Sequence, residues 1–302
     1  MALYAFDGTW NKDKPGTESD TNVLEFANAY ASGGAVEYLA GVGTRFGPLG
    51  KVVGGITGAG GLKRVRGARA ALKGHFRAGD AVVDIVGFSR GAALALDFAN
   101  WVNDRSGELT EDGRPLPIRF LGLWDTVPSF GVPSLPWNIG YDLDLPANVA
   151  KCFHALALDE RRHTFAPTRL SAKVENANQE GRLFEVWFRG VHSDVGGGNN
   201  NPGLSSIALH WMFKAALRTG LRIDTAALAR ARDRRRPDAR ISKHDYDLVK
   251  NRFRTVRWND RVHDSVAARD PKSHNNPPLG LAVVNDDGVA LEVGFGGVPA
   301  AA

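Results

Sequence analysis

The sequence contains a single cysteine, Cys152, and has no long apolar run. One cysteine cannot form an internal disulfide, so the chain does not belong to the disulfide-rich secreted scaffolds, and we interpret Cys152 as a small core residue. The candidate apolar stretches, such as Ala81 to Phe88, have the length of a strand and are interrupted by Asp84. A membrane-spanning helix needs about 18 to 20 apolar residues. We therefore exclude a transmembrane protein.

The N-terminal sequence M-A-L-Y-A-F-D-G-T-W has neither a basic segment nor an apolar core of the kind that a secretory signal peptide needs. We expect a cytoplasmic location in the producing cell. The net charge of +5 is modest for 302 residues, so we expect that the protein does not bind a nucleic acid. The exception is the arginine-rich stretch from Arg230 to Arg240. It indicates either a contact with a nucleic acid or an anionic membrane surface, or, as we favour, a solvated helix end before Pro237.

Glycine is concentrated between Gly41 and Gly61, which raises the question of a phosphate-binding loop. A P-loop must end in Gly-Lys-Ser/Thr, and a dinucleotide loop needs G-x-G-x-x-G between a strand and a helix. Neither pattern is present, since Lys63 occupies the position of the last glycine. We therefore predict that residues 41–61 form a surface loop or a lid and bind no nucleotide.

Strand patterns alternate with helix patterns along the chain, and no linker divides it. This alternation predicts one α/β domain over residues 1–302, with a mostly parallel central sheet flanked by helices and a frayed tail at 298–302. The predicted strands are Leu3 to Phe6, Val36 to Ala40, Ala81 to Val86, Ile118 to Trp124 and Leu183 to Val191. The predicted helices are Asn22 to Ala31, a segment ending near Val102, Leu145 to Leu158 and Leu204 to Leu217.

The sequence Gly87-Phe88-Ser89-Arg90-Gly91 fits the pattern G-x-S-x-G between a buried strand and a helix. This is the context of a nucleophile elbow, in which glycines let the strand and the helix approach and the serine hydroxyl stands clear of the sheet. The pattern predicts the α/β-hydrolase fold, with Ser89 as the nucleophile. The alternative role for Ser89 is to cap the helix that follows it.

A nucleophilic serine needs an acid and a base, which follow it along an α/β-hydrolase chain in that order. Asp125 ends one buried strand and His192 ends the next, so we predict a triad of Ser89, His192 and Asp125. Asp194 is the alternative acid, although a role in tying down the glycine loop is favoured for it, and His263 is the alternative base. A metal site on His192 and Asp194 lacks further ligands at a recognisable spacing, so we expect no metal or organic cofactor.

Hydrolysis of an ester also needs two backbone N–H groups that stabilise the oxyanion. The residue after the nucleophile, Arg90, supplies the first in this interpretation. Gly8 or Thr9, in the turn after the first strand, supplies the second. Asp7 is expected to hold that turn in shape.

Five motifs together resemble the catalytic domain of the Tle1-like phospholipase effectors of type VI secretion, which has an α/β-hydrolase fold. The resemblance covers the chain from residue 3 to about 215. The motifs are F-D-G-T-W-N at 6–11, G-F-S-R-G-A at 87–92, L-W-D-T-V at 123–127, H-A-L-A-L-D-E at 154–160 and F-R-G-V-H-S-D-V-G-G-G at 188–198.

The resemblance implies a triad on Ser89, Asp125 and His192, and hydrolysis of phospholipid acyl esters by a toxin exported to the periplasm of a target cell. It also implies a lipid or ester substrate, with a secretion spike protein and an immunity protein as partners. The residues leave three alternatives open: a general esterase or polyester hydrolase without a toxin role, a catalytically inactive hydrolase-fold binding module, and a basic peripheral membrane binder.

Overall fold

The computed structural model describes residues 1–8, 20–31, 34–41, 59–128, 141–170, 181–242, 252–268 and 274–299. The strands in these ranges are β1 (Ala2–Phe6), β2 (Val36–Leu39), β3 (Val83–Phe88), β4 (Ile118–Trp124), β5 (Cys152–Ala157), β6 (Leu183–Phe188), β7 (Arg261–His263) and β8 (Ala282–Val284). The α-helices are α1 (Asn22–Ala29), α2 (Ala59–Arg77), α3 (Arg90–Arg105), α4 (His192–Gly196), α5 (Pro202–Arg218) and α6 (Thr225–Arg234).

The eight described strands form one sheet in the order β2-β1-β3-β4-β5-β6-β7-β8, and every pair of neighbouring strands is parallel. The central strands are apolar on both faces because helices cover both faces of the sheet. Side chains of α1, α5 and α6 pack on one face, and those of α2 and α3 pack on the other. The predicted α/β fold is confirmed. No helix in the described ranges is long and apolar enough to cross a membrane.

The order of the strands reverses at β1, because the chain adds β2 on one side of β1 and β3 on the other. Ligands of open α/β sheets bind at such a reversal, in the crevice outside the carboxyl ends of the strands. Asp7 and Gly8 follow β1 at this edge, and Ser89 follows β3. The topology therefore brings the Asp7-Gly8 turn and the G-x-S-x-G motif side by side.

The predicted helix from Leu145 to Leu158 is wrong, because residues Cys152–Ala157 form the central strand β5. All six of its residues are buried between β4 and β6, so the segment has no polar face to present to water. An apolar run this short cannot be assigned to strand or helix from its pattern alone. The predicted strand from Leu183 is also shorter than expected, and ends at Phe188.

Two further predictions fall largely on residues that the structure does not describe. Of the lid predicted at 41–61, residues 42–58 lie outside the described residues, and α2 already begins at residue 59. Residues 300–302 of the predicted tail also lie outside them. Both predictions stay untested.

Gly91 permits a close approach between the start of α3 and the end of β1. A β-carbon at Gly91 would lie 2.2 Å from the carbonyl oxygen of Phe6 and 2.5 Å from that of Asp7. Both contacts are with backbone, which cannot rotate away. Glycine at this position therefore lets the two motifs meet at the sheet edge.

We expect Gly91→Ala to lower the free energy of unfolding by about 1–3 kcal/mol, because the added methyl group overlaps backbone atoms. Gly67→Ala in α2 is the matched control. Nothing lies within 4 Å of its added β-carbon, so we expect it to raise stability by about 0.5–1 kcal/mol. Urea unfolding of both variants followed by circular dichroism measures the difference. Equal stabilities would contradict the close approach.

Candidate active site

Ser89 stands on a sharp turn between β3 and α3. Its backbone adopts φ 59° and ψ −127°, a conformation that costs a non-glycine residue free energy. Hydrogen bonds to the neighbouring strand fix the turn: the N–H of Ser89 donates to the carbonyl of Trp124 at 3.0 Å, and the N–H of Val127 donates to the carbonyl of Ser89 at 3.3 Å. The side chain of Ser89 does not cap α3. The alternative capping role is therefore wrong.

A continuous hydrogen-bonded chain joins Ser89, His192 and Asp125. The Oγ of Ser89 lies 2.8 Å from Nε2 of His192, and Nδ1 of His192 lies 2.6 Å from Oδ2 of Asp125. All three side chains are buried. The rings of Phe88 and Phe165 flank the imidazole, with centroids 4.6 and 4.9 Å from its own. The structure thus brings together the three residues that the sequence nominates, in the geometry of a nucleophile, a base and an orienting acid.

Burial lowers the pKa of His192, and this effect outweighs the opposing hydrogen bond and charge of Asp125. The imidazole is therefore neutral at neutral pH. The contact with Asp125 favours the tautomer that carries its proton on Nδ1, which leaves Nε2 free to accept the proton of Ser89. A neutral imidazole in this tautomer is the form that a general base requires.

Asp125 is buried completely, and its backbone adopts φ 42°, a conformation that costs a non-glycine residue free energy. Burial alone would raise the pKa of this carboxyl. The positive charge of Arg254 and the contact with His192 outweigh burial, so the pKa of Asp125 lies well below its usual range. The N–H of Ala157 also donates to Oδ1 at 2.9 Å. Asp125 is therefore a carboxylate under ordinary conditions.

Arg254 is a site residue that the sequence analysis missed. Its Nη1 donates to Oδ1 of Asp125 at 2.6 Å, and its Nη2 donates to Oδ2 at 3.1 Å. The same guanidinium donates to the carbonyls of Ala157 and Phe165, so it is held on both sides. Arg254 lies 129 residues from Asp125 in a segment without regular structure, so no local pattern could point to it.

Glu160 supports the base from its backbone side. Its Oε2 accepts a hydrogen bond from the N–H of His192 at 3.2 Å, and its carboxylate forms two hydrogen bonds with the guanidinium of Arg162 at 2.9 Å. Burial opposes the charged form, but the contacts with Arg162 dominate and lower the pKa of Glu160 to about 2. Glu160 lies in the H-A-L-A-L-D-E motif, and this motif is the sequence feature that could have pointed to Glu160 as a site residue.

The two alternative site residues lie outside the triad. Asp194 accepts hydrogen bonds from the N–H of Val191 at 3.1 Å and from the N–H of Ser242 at 2.9 Å, so it ties down the glycine loop. His263 contacts Ser265 at 2.9 Å and stacks on Phe188. Among the described residues, no group of three or more His, Cys, Asp or Glu side chains is arranged to hold a metal ion.

The turn after β1 is held by the carboxylate of Asp7. It accepts hydrogen bonds from the N–H of Gly8 at 2.6 Å and the hydroxyl of Thr21 at 2.7 Å, and a third from the hydroxyl of Tyr38. These hydrogen bonds lower the pKa of Asp7, but burial raises it by more, so the pKa lies above its usual value. The N–H of Gly8 is therefore engaged by its own neighbour. Thr9, the other predicted oxyanion donor of this turn, lies outside the described residues.

Comparison with protein families shows the family to which the chain belongs. The family model of the catalytic domain of Tle1-like phospholipase effectors of the type VI secretion system matches residues 3–109 and 100–215. This chain belongs to that family. Membership in the Tle1-like catalytic domain family supports a lipolytic function, and the matched region includes Ser89, Asp125 and His192. No curated protein matches the sequence.

Two solved structures resemble this Tle1-like domain. A crystal structure of an uncharacterized protein from Pseudomonas aeruginosa has a TM-score of 0.57 and 22% identity, over 75% of this chain and 47% of that one. A structure of the Tle1 effector bound to the VgrG spike of the type 6 secretion system has a TM-score of 0.46 and 22% identity, over 67% of this chain and 51% of that one. The first shows the shared fold. The chain spans about half the length of both proteins.

We expect Arg254→Gln to raise the pKa of His192, because the guanidinium is a positive charge that disfavours the protonated imidazole. The acid limb of any His192-dependent activity then moves to higher pH. Arg254→Lys keeps the charge and is the matched control, with a smaller shift. Titration of the His192 ring signals by NMR measures both. An unchanged or lower pKa of His192 in the folded Gln variant would contradict this role of Arg254.

Proposed function

We propose that the domain is a serine hydrolase that cleaves carboxylic esters, principally the acyl esters of phospholipids, through an acyl-enzyme intermediate. One observation carries this proposal: the hydrogen-bonded chain from Ser89 through His192 to Asp125, located at the strand-order reversal of the sheet. Membership in the Tle1-like family supports phospholipid as the substrate class.

In the proposed mechanism, Nε2 of His192 takes the proton of Ser89 as Oγ attacks the ester carbonyl. Asp125 stabilises the imidazolium that forms. His192 then protonates the leaving alcohol, and the acyl group remains on Ser89. A water molecule, deprotonated by His192, attacks this acyl-enzyme. His192 then returns the proton to Oγ of Ser89 as the Ser89–acyl bond breaks and the fatty acid leaves.

The negative charge of the tetrahedral intermediate falls on the carbonyl oxygen of the substrate. We assign its stabilisation to the backbone N–H of Arg90, helped by the N-terminus of α3, and to a second N–H from Gly8 or Thr9. If Gly8 is the second donor, its N–H must leave the carboxylate of Asp7 during the reaction. No step of this mechanism calls for a metal or an organic cofactor.

The family also supports a delivery route. We propose that the domain is exported by type VI secretion to the periplasm of a target cell, where phospholipid is accessible. A secretion spike protein and an immunity protein are the partners that this route implies. The related Tle1 effector was solved bound to the VgrG spike.

We expect Ser89→Ala to lower kcat/KM for phospholipid in mixed micelles by at least about 10³-fold, because the nucleophile is lost. Ser205→Ala is the matched control, since Ser205 and Ser89 are both 5% exposed, and Ser205 lies within α5. We expect its kcat/KM within about threefold of the parent. Release of fatty acid measures both variants.

Retention of activity within tenfold in Ser89→Ala would show that Ser89 is not the nucleophile. The same assay with short-chain p-nitrophenyl esters separates the substrate classes. A preference for these esters over phospholipid would favour a general esterase or a polyester hydrolase.

We expect Asp125→Asn to lower kcat by about 10⁴-fold, because an amide cannot stabilise the imidazolium or fix its tautomer. Asp194→Asn is the matched control. It removes a buried carboxylate of α4, two residues after His192, that does not contact the imidazole, so its effect on kcat should be much smaller. A larger loss of kcat in folded Asp194→Asn would transfer the role of the acid to Asp194.

A further inference from the structure

The segment from Arg252 to Asp260 lies beside the active site and carries both buried and exposed side chains. It has no regular secondary structure and includes a turn at residues 258 and 259. Arg254, which binds Asp125, and Val256, which packs against buried apolar residues, face the protein. The proposed function does not use the exposed side chains of the segment.

Two aromatic rings lie in water on this segment. Trp258 is 72% exposed and Phe253 is 39% exposed. Exposed aromatic rings beside a polar active site are typical of surfaces that contact a membrane or a partner, because Trp and Phe gain most from leaving water.

The same surface is positively charged. Within the described part of the chain, the side chains of the exposed residues Arg252 and Arg257 have no hydrogen-bond or ion-pair partner. The guanidinium of Arg161 lies over the ring of Phe253, 4.7 Å from its centroid. The nearby acidic groups Glu160 and Asp260 are buried and bind other arginines. No described carboxylate therefore neutralises Arg252 or Arg257.

We propose that this surface, formed by Arg161, Arg252, Phe253, Arg257 and Trp258, docks the domain on an anionic phospholipid bilayer. The combination of exposed Trp and Phe with the arginines Arg252 and Arg257, which no described carboxylate neutralises, fits the headgroup region, where rings enter the interface and cations meet lipid phosphates. The inference rests on the proposed function, because it places the substrate surface beside the triad.

The surface is close to the reacting groups. Arg254, which contacts Asp125, lies only four residues before Trp258, so their Cα atoms are separated by at most about 14 Å. Docking through this surface therefore brings lipid headgroups to the edge of the site.

The arginine-rich stretch from Arg230 to Arg240 is less suited to a bilayer than this surface. Arg234 pairs with Glu25 and Arg235 pairs with Asp286, so part of its charge is already neutralised. It also contains no aromatic residue. Its helix α6 ends at Arg234, as the alternative of a solvated helix end before Pro237 predicts.

Sedimentation with vesicles tests the surface independently of catalysis when all proteins carry Ser89→Ala. We expect binding to vesicles of 70% phosphatidylcholine and 30% phosphatidylglycerol. Two double variants test the surface: Phe253→Ala with Trp258→Ala, and Arg252→Gln with Arg257→Gln. We expect each of them to weaken vesicle binding by about tenfold or more. Leu279→Ala, at a side chain 73% exposed, and Arg230→Gln, at an exposed arginine, are the matched controls and should bind within about twofold of the parent.

Two results would overturn the docking surface. One is unchanged vesicle binding in both double variants, and the other is no binding by the folded parent, which would indicate a protein partner for the exposed rings.

Failure of the proposed function would give a different result. If vesicles bind through this surface but a chain with Ser89 intact releases no fatty acid from them, the hydrolase assignment fails and the docking surface stands.

Discussion

The buried carboxylate of Asp125 is the interaction on which the rest of the site depends. It binds the imidazole of His192, the guanidinium of Arg254 and the N–H of Ala157. A carboxylate buried to this degree is tolerated only when several donors surround it, and the loss of one partner of such a buried pair costs about 3–5 kcal/mol. Asp125 therefore joins three distant parts of the chain and orients the base at the same time.

The topology of the sheet determines where the active site lies. The strand order reverses at β1, which opens a crevice between the ends of β1 and β3, and the strained turn at Ser89 projects the hydroxyl into the same edge. Gly91 keeps α3 against the end of β1. Since Asp125 directly follows β4 and β6 leads to His192, the parallel sheet places all three groups at its carboxyl edge.

Sequence patterns predict the parts of this arrangement that depend on local structure. The elbow at Ser89, the strand end at Asp125 and the histidine after β6 each follow from a buried strand and a turn. Arg254 could not be predicted, because its partner is distant along the chain and its own segment has no regular pattern. The strand β5 could not be told from a helix by its sequence, since a short, fully buried apolar run fits both structures.

The most direct measurement of the central claim is the reaction of the folded protein with a fluorophosphonate, followed by intact mass and peptide mapping. These reagents phosphonylate serines that a neighbouring base activates. We predict one adduct, located on Ser89, which disappears in Ser89→Ala and forms much more slowly in Asp125→Asn. The triad assignment makes this prediction, so it is the claim under test. An adduct on another serine, or no adduct on the folded protein in the presence and absence of phospholipid vesicles, would contradict it.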